Sequence, residues 1–224
     1  MIGLPATGKS TIAKAISKEK IIQNHFKRIK IIDPDVFRSE IMKNGFDYHL
    51  EPEVQEIKFR ELQHFIEQDI SLIIIDDVNY YKSMRHDFYD IAKKEGYYYK
   101  SIFFKAPVQY CLKQNRLRDL PIPNALILEF KEKFDIPGTK YKWDEPDLVL
   151  FPKKEDFRSM INKIKKFILS IDETSPNRLN EREESELSKT LYTSPNPKRD
   201  LEIKVRHFFH DIIKGEVHIN LNLI

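Results

Sequence analysis

Short runs of apolar, mostly β-branched residues alternate along this chain with longer stretches whose apolar residues recur at helical spacing. The short runs predict strands, because each spans about four residues and is bounded by polar or turn residues. They cover Ile29–Ile32, Leu72–Ile75, 101–104 and 148–151. The helical stretches cover residues 11–20, 37–43, 53–67, 83–94, 108–118 and 156–169. This alternation predicts an α/β fold with a largely parallel sheet flanked by helices.

The composition changes near residue 171. Residues 172–200 are rich in Glu, Ser, Asn, Pro and Arg and contain few apolar residues, which is typical of a poorly ordered linker. A last apolar patch, 201–213, again has helical spacing. We therefore expect an α/β domain over 1–170, a linker over 171–200 and a short helical C-terminal appendage over 201–224. The appendage is either a docking helix or an incomplete domain.

Charge and cysteine content narrow the class of protein. The 38 basic and 35 acidic residues give a net charge of +3, too mild to predict a nucleic-acid-binding protein from the total alone. From residue 171 onward there are eight Lys or Arg against ten Asp or Glu, so any basic surface lies on the α/β part. Cys111 is the single cysteine, and no apolar run approaches the ~18 residues of a membrane span. We expect a cytoplasmic protein without a membrane partner, either a monomer or a dimer.

A glycine-rich segment carries the strongest chemical signal. Residues 3–10 read Gly-Leu-Pro-Ala-Thr-Gly-Lys-Ser and fit the phosphate-loop pattern G-x-x-x-x-G-K-[ST] at every fixed position. The glycines allow successive backbone N–H groups to point at nucleotide phosphates, and the following helix adds its positive end. Lys9 would reach the outer phosphates and the Ser10 hydroxyl would bind Mg²⁺. The predicted ATP-binding residues are Gly3, Pro5, Ala6, Thr7, Gly8, Lys9, Ser10 and Thr11.

The strand that normally precedes such a loop is truncated here. Only Met1 and Ile2 come before Gly3, whereas a buried strand usually has about five residues. Either this strand is nearly absent or the chain begins further upstream. We expect that adding about five apolar residues before Met1 would raise the melting temperature, because a central strand would be completed.

A second candidate for the metal site follows the strand Leu72–Ile75. Asp76 and Asp77 come directly after this buried strand, in the Walker B arrangement, where ligands of parallel sheets bind. Asp76 is the first choice to hold Mg²⁺, and Asp77 is the alternative. A purely structural alternative is that the acid caps the next segment.

An acid and an arginine one helical turn apart follow the strand Ile29–Ile32. In many small kinases with a phosphate loop, an Asp at this place meets the acceptor hydroxyl. Asp35 could accept the hydroxyl proton, and Arg38 could steady the charge of the substrate or phosphate. Asp33 competes for the same role. The structural alternative is that Asp35 only caps the following helix.

Two further arginines lie at the end of the helix predicted over 108–118. Kinases of this class usually carry arginines in a lid over the phosphates, where a cation stabilises the charge that develops on transfer. Arg118 is the stronger candidate and Arg116 the weaker one. Arginines at a helix C-terminus also simply complement the helix dipole.

The segment 76–85 reads Asp-Asp-Val-Asn-Tyr-Tyr-Lys-Ser-Met-Arg and resembles a signature of one known family. It is the signature shared by L-seryl-tRNA(Sec) kinase and the Elongator-associated tRNA-binding ATPase. The stretches 122–124, 133–138 and 140–146 resemble the archaeal kinase more than the ATPase. The resemblance covers residues 3–151. It implies ATP- and Mg²⁺-dependent phosphorylation of the serine on Ser-tRNA(Sec), which gives O-phosphoseryl-tRNA, the precursor of selenocysteine.

By this resemblance, Gly8, Lys9 and Ser10 bind ATP and Mg²⁺, Asp35 is the base, Arg38 its partner and Arg118 the lid arginine. Aromatic faces beside cations suit the unstacked acceptor end of a tRNA. We therefore expect tRNA contacts from Asn79, Tyr80, Tyr81, Lys82 and Arg85. The alternative is that the two tyrosines pack in the core, as we expect for Trp143.

The C-terminal tail departs from the family pattern. The family grips tRNA with a C-terminal helical domain, whereas this tail is short and slightly acidic, and phosphate neutralisation needs Lys and Arg. Two other functions therefore stay open at this point. One is a tRNA-binding ATPase that acts as an accessory factor in tRNA modification, and the other is a small-molecule kinase of the same class.

Overall fold

A computed structural model describes residues 1–42 and 47–171 of the chain. The four strands are β1 Ile29–Ile32, β2 Leu72–Ile75, β3 Ile102–Phe104 and β4 Leu148–Leu150. The eight helices in this described part are α1 Lys9–Lys18, α2 Lys20–His25, α3 Pro34–Ile41, α4 Glu51–Glu67, α5 Lys82–Glu95, α6 Val108–Asn115, α7 Asn124–Lys133 and α8 Phe157–Leu169. Single 3₁₀ turns cover Tyr48–Leu50 and Lys142–Asp144. The linker expected over 171–200, apart from its first residue, and the segment over 201–224 lie outside the described residues.

All strand pairs run parallel, as the alternating pattern predicts. β1 pairs with β2 in the register that sets Ile32 beside Ile75, and β3 pairs with β4 so that Phe104 lies beside Leu150. The ends of β1 and β2 therefore meet at one edge of the sheet. This brings the acids that follow the two strands to the same place.

Residues 1–3 lie between these two strand pairs. The Met1 amino group donates a 2.8 Å hydrogen bond to the carbonyl of Ile75 on β2. On the other side, Ile2 forms a single parallel bridge with Phe103, through two 2.8 Å hydrogen bonds to the backbone of β3. The expected truncated first strand thus joins the two halves of the sheet, with one bridge in place of a full ladder.

Helices cover both faces of the sheet. Because side chains alternate along a strand, Ile74 points into one apolar cluster while Ile73 and Ile75 point into the other. The first cluster is built with α1 and α8, through Ile12, Ile16, Ile161 and Ile164. The second is built with α4 and α5, through Leu62, Phe65 and Phe88. In the described part of the chain, no helix is long and apolar enough to cross a membrane.

Several helix boundaries differ from the predicted ones for local reasons. α3 begins at Pro34 because the Asp33 side chain caps it by accepting from the Asp35 N–H, and it ends at Ile41. α6 ends at Asn115, three residues before the predicted end. The sequence analysis missed α2 and α7 entirely.

Candidate active site

The phosphate loop connects the truncated strand to α1. Its curvature needs left-handed backbone conformations, with φ of +61° at Ala6 and +92° at Gly8. Gly3 is required for a different reason, because a Cβ there would lie 2.9 Å from the carbonyl oxygen of Phe104. The Thr7 hydroxyl closes the loop with a 2.9 Å hydrogen bond to the Leu4 carbonyl. The loop is therefore packed against β3 on one side and open at the start of α1.

Lys9 is buried beneath this loop. Its ammonium group donates hydrogen bonds of 2.8 Å to the Gly3 carbonyl and 2.9 Å to the Leu4 carbonyl. Burial lowers the pKa of Lys9, and the attraction of Asp76 offsets part of that effect. The ammonium is thus held at the base of the loop by the loop's own backbone.

The two acids after β2 have different surroundings. Asp77 accepts a hydrogen bond of 2.8 Å from the Val78 N–H and forms an ion pair of 3.4 Å with Lys58 of α4. Asp76 is only 4% exposed. Neither of its carboxylate oxygens has a hydrogen bond of ordinary geometry within the described part of the chain. A buried carboxylate left in this state is costly unless a ligand joins it.

The pKa of Asp76 reflects this environment. Burial raises it, and the Ser10 hydroxyl and the Lys9 ammonium, which lie close by, counteract the rise only in part. A carboxylate and a hydroxyl facing one space suit Mg²⁺, which usually takes one or two protein ligands and completes its shell with water and phosphate oxygens. The described residues contain no cluster of three or more His, Cys, Asp or Glu that could hold a metal ion.

Arg38 joins two carboxylates, those of Asp35 and Glu51, in the neighbourhood of Asp76. Arg38 contacts Asp35 at 2.7 Å and grips Glu51 of α4 with two nitrogens, at 2.6 and 3.1 Å. Burial disfavours the charged form of Arg38, but its hydrogen bonds to Glu51, together with the attraction of the Asp77, Glu51 and Asp35 carboxylates, raise the pKa of Arg38. Asp35 keeps 70% of its side chain exposed. The acid of this pair is therefore accessible while its arginine is fixed.

Asp33 and Asp35 are separated by role. Asp33 supplies the helix cap, so the structural alternative for Asp35, that it caps α3, is wrong. Burial raises the pKa of Asp33, and the nearby carboxylates of Asp76 and Asp35 raise it further.

Two residues expected to contact tRNA are instead buried. Arg85 is 1% exposed and pairs with Asp144 through two hydrogen bonds of 2.6 Å, while its third nitrogen reaches the Asn79 and Tyr80 carbonyls. Asn79 has a left-handed φ of +48° and donates to the Met1 carbonyl at 2.8 Å. The prediction of RNA contacts for Arg85 and Asn79 is corrected here, because both side chains lie inside the protein and hold the loop after β2 in place.

The other members of that group reach the surface. The Tyr80 ring packs 4.2 Å from the Tyr81 ring and 5.0 Å from the Phe130 ring, and burial raises the pKa of Tyr80 to about 12. The Lys82 ammonium lies 4.4 Å from the centre of the exposed Tyr141 ring. Beside it is a cavity of about 230 Å³, lined by Lys82, Arg85, Phe134, Asp135, Ile136, Thr139, Lys140 and Asp144.

Trp143 is half-buried among aromatic side chains. It contacts the rings of His86, Tyr89 and Tyr141. This placement agrees with the expectation that Trp143 packs within the protein.

Arg116 and Arg118 lie on an exposed loop between α6 and α7. A single buried side chain, Asn115, closes the base of this loop. Its amide donates to the Ile122 carbonyl at 2.7 Å and accepts from the Ile122 N–H at 3.1 Å. The amide also reaches Asn124 at 3.2 Å. The two arginines are thus carried on a loop whose ends are fixed.

Three residues of this site were missed by the sequence analysis. Glu51 and Lys58 act from α4, and Asp144 acts from the turn before β4. A sequence signal existed for Lys58, since it falls on the apolar face that Val54, Leu62 and Phe65 define on α4. Glu51 and Asp144 carry no such signal, because nothing local distinguishes them from other surface acids.

The chain matches a known protein family and several curated proteins. The sequence model of the family described as "Chromatin associated protein KTI12" matches residues 1–219. The chain belongs to the KTI12 family. Among curated relatives, L-seryl-tRNA(Sec) kinase of Methanococcus maripaludis is 36% identical over 168 residues, which cover 73% of this chain and 63% of that protein. The KTI12 homolog of Oryza sativa subsp. indica is 23% identical over 157 residues, covering 68% of this chain and 52% of that protein.

Solved structures share the fold of this KTI12-family chain. Kti12 of Chaetomium thermophilum in complex with ADP-AlF3 has a TM-score of 0.55 at 20% identity, covering 74% of this chain and 95% of that one. The APS kinase CysC of Mycobacterium tuberculosis, in complex with AMPPNP and APS, has a TM-score of 0.52 at 18% identity, covering 75% and 95%. The predicted P-loop kinase fold is confirmed, as is the family resemblance. The chain spans 63% of the Methanococcus maripaludis kinase and 52% of the Oryza sativa KTI12 homolog.

Proposed function

We propose that this chain is an ATP- and Mg²⁺-dependent kinase that phosphorylates the serine of Ser-tRNA(Sec) to give O-phosphoseryl-tRNA(Sec). The observation that carries the proposal is the accessible Asp35, fixed by Arg38 at the sheet edge where the phosphate loop and Asp76 also lie. Asp35 lies near enough to Lys9 and Asp76 to affect the pKa of both. The identity to the Methanococcus maripaludis kinase supports the same substrate.

The nucleotide half of the reaction rests on the phosphate loop. Backbone N–H groups between Gly3 and Ser10 cradle the phosphates at the start of α1, and Lys9 turns from the loop carbonyls toward the outer phosphates. Ser10 and Asp76 fit Mg²⁺, which when bound neutralises charge on the phosphate oxygens. The orphaned oxygens of Asp76 are the feature of this chain that fits the ion.

The acceptor half of the reaction rests on the neighbouring Asp35 and Arg38. The seryl hydroxyl oxygen forms the new bond to the γ-phosphorus, the bond to the β-phosphate oxygen breaks, and ADP leaves. Asp35 accepts the hydroxyl proton, while Arg38 stabilises negative charge next to it. Asp33, with its raised pKa, is the alternative base, although it is engaged as a helix cap. Arg118 supplies a further cation from the loop between α6 and α7, and Arg116 contributes less.

The tRNA partner is assigned to the surface that Lys82 and Tyr141 form. A cation over an exposed ring, beside a cavity with Lys140 on its lining, suits a single-stranded acceptor end that offers both phosphates and base faces. Tyr81 directly precedes Lys82 at the start of α5 and extends this surface. The protein acts in the cytoplasm, where aminoacylated tRNA is found.

The test is transfer of labelled γ-phosphate to Ser-tRNA(Sec). We expect labelled tRNA with the wild type, and a loss of at least about 100-fold with Lys9→Met and with Asp35→Asn. Asp69→Asn is the matched control, since this acid is 98% exposed on the surface and should leave transfer unchanged. Wild-type protein that hydrolyses ATP but labels no tRNA would contradict the proposal.

A second candidate is a tRNA-binding ATPase that serves tRNA modification. It is favoured by the match of the KTI12 family model to residues 1–219. Under this alternative, tRNA would stimulate ATP hydrolysis and no phosphorylated tRNA would form. A small-molecule kinase would instead label a metabolite without any tRNA, and the same labelling experiment distinguishes all three outcomes.

A further inference from the structure

One face of helix α4 carries two charged residues that reach into different halves of the site. Glu51 and Lys58 are seven residues apart, so they lie on the same face of the helix, separated by about 10 Å along its axis. Val54, fully buried, lies between them on that face. Glu51 and Lys58 therefore face the same neighbours from one rigid element.

The first of these residues controls the acceptor side. Glu51 holds two nitrogens of Arg38, and the third nitrogen of Arg38 holds Asp35. A two-point contact between a guanidinium and a carboxylate fixes orientation as well as distance. The direction of Arg38 is thus set by Glu51 of α4.

The second residue controls the nucleotide side. Lys58 pairs with one oxygen of Asp77, and the other oxygen accepts from the Val78 N–H. The Val78 carbonyl in turn accepts a 3.1 Å hydrogen bond from the N–H of Gly3, the first residue of the phosphate loop. A continuous series of contacts therefore runs from α4 through the turn after β2 to the phosphate loop.

A lysine at this place is not what packing alone would select. Lys58 is 1% exposed, and its ammonium lies 5.1 Å from the ring centres of both Phe59 and Phe88. Burial lowers the pKa of Lys58, while the attraction of Asp77 counteracts the effect. An apolar side chain of the same volume would avoid the cost of burying a charge. The position is explained better by what the ammonium holds than by what it fills.

We propose that Glu51 and Lys58 are positioning residues through which α4 holds the acceptor pair and the phosphate loop in one fixed arrangement. The inference rests on the proposed kinase function for its readout, although not for its geometry. Glu51 acts through Arg38, and Lys58 acts through Asp77.

A double-mutant cycle tests this inference in the full chain. Glu51→Gln and Lys58→Met each remove one contact, and we expect each to lower kcat about tenfold with KM for ATP changed less than about twofold. The double variant should lose no more kcat than the worse single variant, because one broken contact already uncouples the two halves. Their effects on the free energy of unfolding should add, since the two side chains do not touch.

This contrast separates positioning from plain stability, because lost stability alone would leave both quantities additive. Glu56→Gln and Arg60→Met provide the matched control, an exposed pair at 3.2 Å on the same helix. Their cycle should leave kcat at the wild-type value. If Lys58→Met does not fold, Lys58→Met with Asp77→Asn takes its place, since it removes the pair without leaving a buried charge unpaired.

Two results would overturn the inference, namely kcat effects that simply add, or single variants with wild-type kcat. The cycle is measured on both ATP hydrolysis and phosphate transfer to Ser-tRNA(Sec). A wild type that hydrolyses ATP without labelling tRNA overturns the kinase proposal alone, because non-additive effects on hydrolysis would still support the role of α4.

Discussion

Arg85 and Asp144 form a two-point ion pair inside the protein, with both donor–acceptor distances at 2.6 Å. The two residues are 59 positions apart in the sequence, so the pair joins α5 to the turn before β4. The remaining Arg85 nitrogen holds the Asn79 and Tyr80 carbonyls. A family signature that suggested RNA recognition therefore includes a buried residue that fixes the loop after β2.

Breaking this pair should destabilise the fold strongly. We expect Arg85→Met to lower the free energy of unfolding by about 3–5 kcal/mol, because Asp144 is left as an unpaired buried charge. Urea denaturation measures the loss. Arg85→Met with Asp144→Leu should regain most of it, and Arg60→Met, which breaks an exposed pair, should stay within about 0.5 kcal/mol of wild type. A small effect of Arg85→Met would show that the pair is not desolvated.

Replacing Asp76, the buried acid after β2, should have the opposite effect on stability. We expect Asp76→Asn to raise the free energy of unfolding at pH 7 by about 1–3 kcal/mol, because it removes a buried charge whose burial cost Ser10 and Lys9 offset only in part. The same variant should lose Mg²⁺-dependent ATP turnover. Urea denaturation without ligands measures the gain in stability, and phosphate release from ATP in the presence of Mg²⁺ measures the turnover.

The advantage of Asp76→Asn should also depend on pH. The folded protein raises the pKa of Asp76, so it holds the proton more tightly than the unfolded chain does. Wild-type stability therefore falls as the pH rises from the unfolded pKa through the folded pKa. The difference between variant and wild type should vanish near pH 4 and grow toward neutral pH. A difference that is constant with pH would contradict the cause given for it.

Two glycines of the phosphate loop should respond differently to alanine. Gly3→Ala places a Cβ 2.9 Å from the Phe104 carbonyl oxygen and 3.0 Å from the Phe104 Cβ, so β3 must shift, and we expect a cost of about 2 kcal/mol or more. Gly8→Ala meets nothing within 4 Å and bears only the cost of its φ of +92°, about 1 kcal/mol. Equal losses in urea denaturation would show that packing against β3 is unimportant.

Arg118 should affect catalysis without affecting stability. Because Arg118 is exposed on the loop between α6 and α7, Arg118→Ala should leave the melting temperature unchanged. The same variant should lower kcat for phosphate transfer at least about tenfold. Arg116→Ala is the matched control on the same loop and should lower kcat much less. The prediction is wrong if the two variants behave alike.

The sequence pattern was sufficient to locate the four strands. β1 and β2 were predicted with their observed bounds, because each is a run of apolar residues between polar ones. The ends of these strands also placed Asp33, Asp35, Asp76 and Asp77 at one edge, as parallel pairing requires. Strand order was not predicted, since residues 1–3 show no pattern that marks a strand.

The errors arose where a distant partner decides the outcome. The buried position of Arg85 depends on Asp144, and the end of α6 depends on the contacts that Asn115 makes with Ile122. α7 was missed because its apolar residues are spread around the helix rather than along one side. Spacing along the sequence carries no information on contacts of this kind.

Asn115 joins the two ends of the loop between α6 and α7, which has a practical consequence for engineering. One amide joins the two ends of the loop, so residues 116–121 can be exchanged for another segment of similar length while the flanking helices keep their anchor. Chimeras that graft this loop from relatives with other acceptors, with Arg118 kept in place, would thus isolate its contribution to substrate choice.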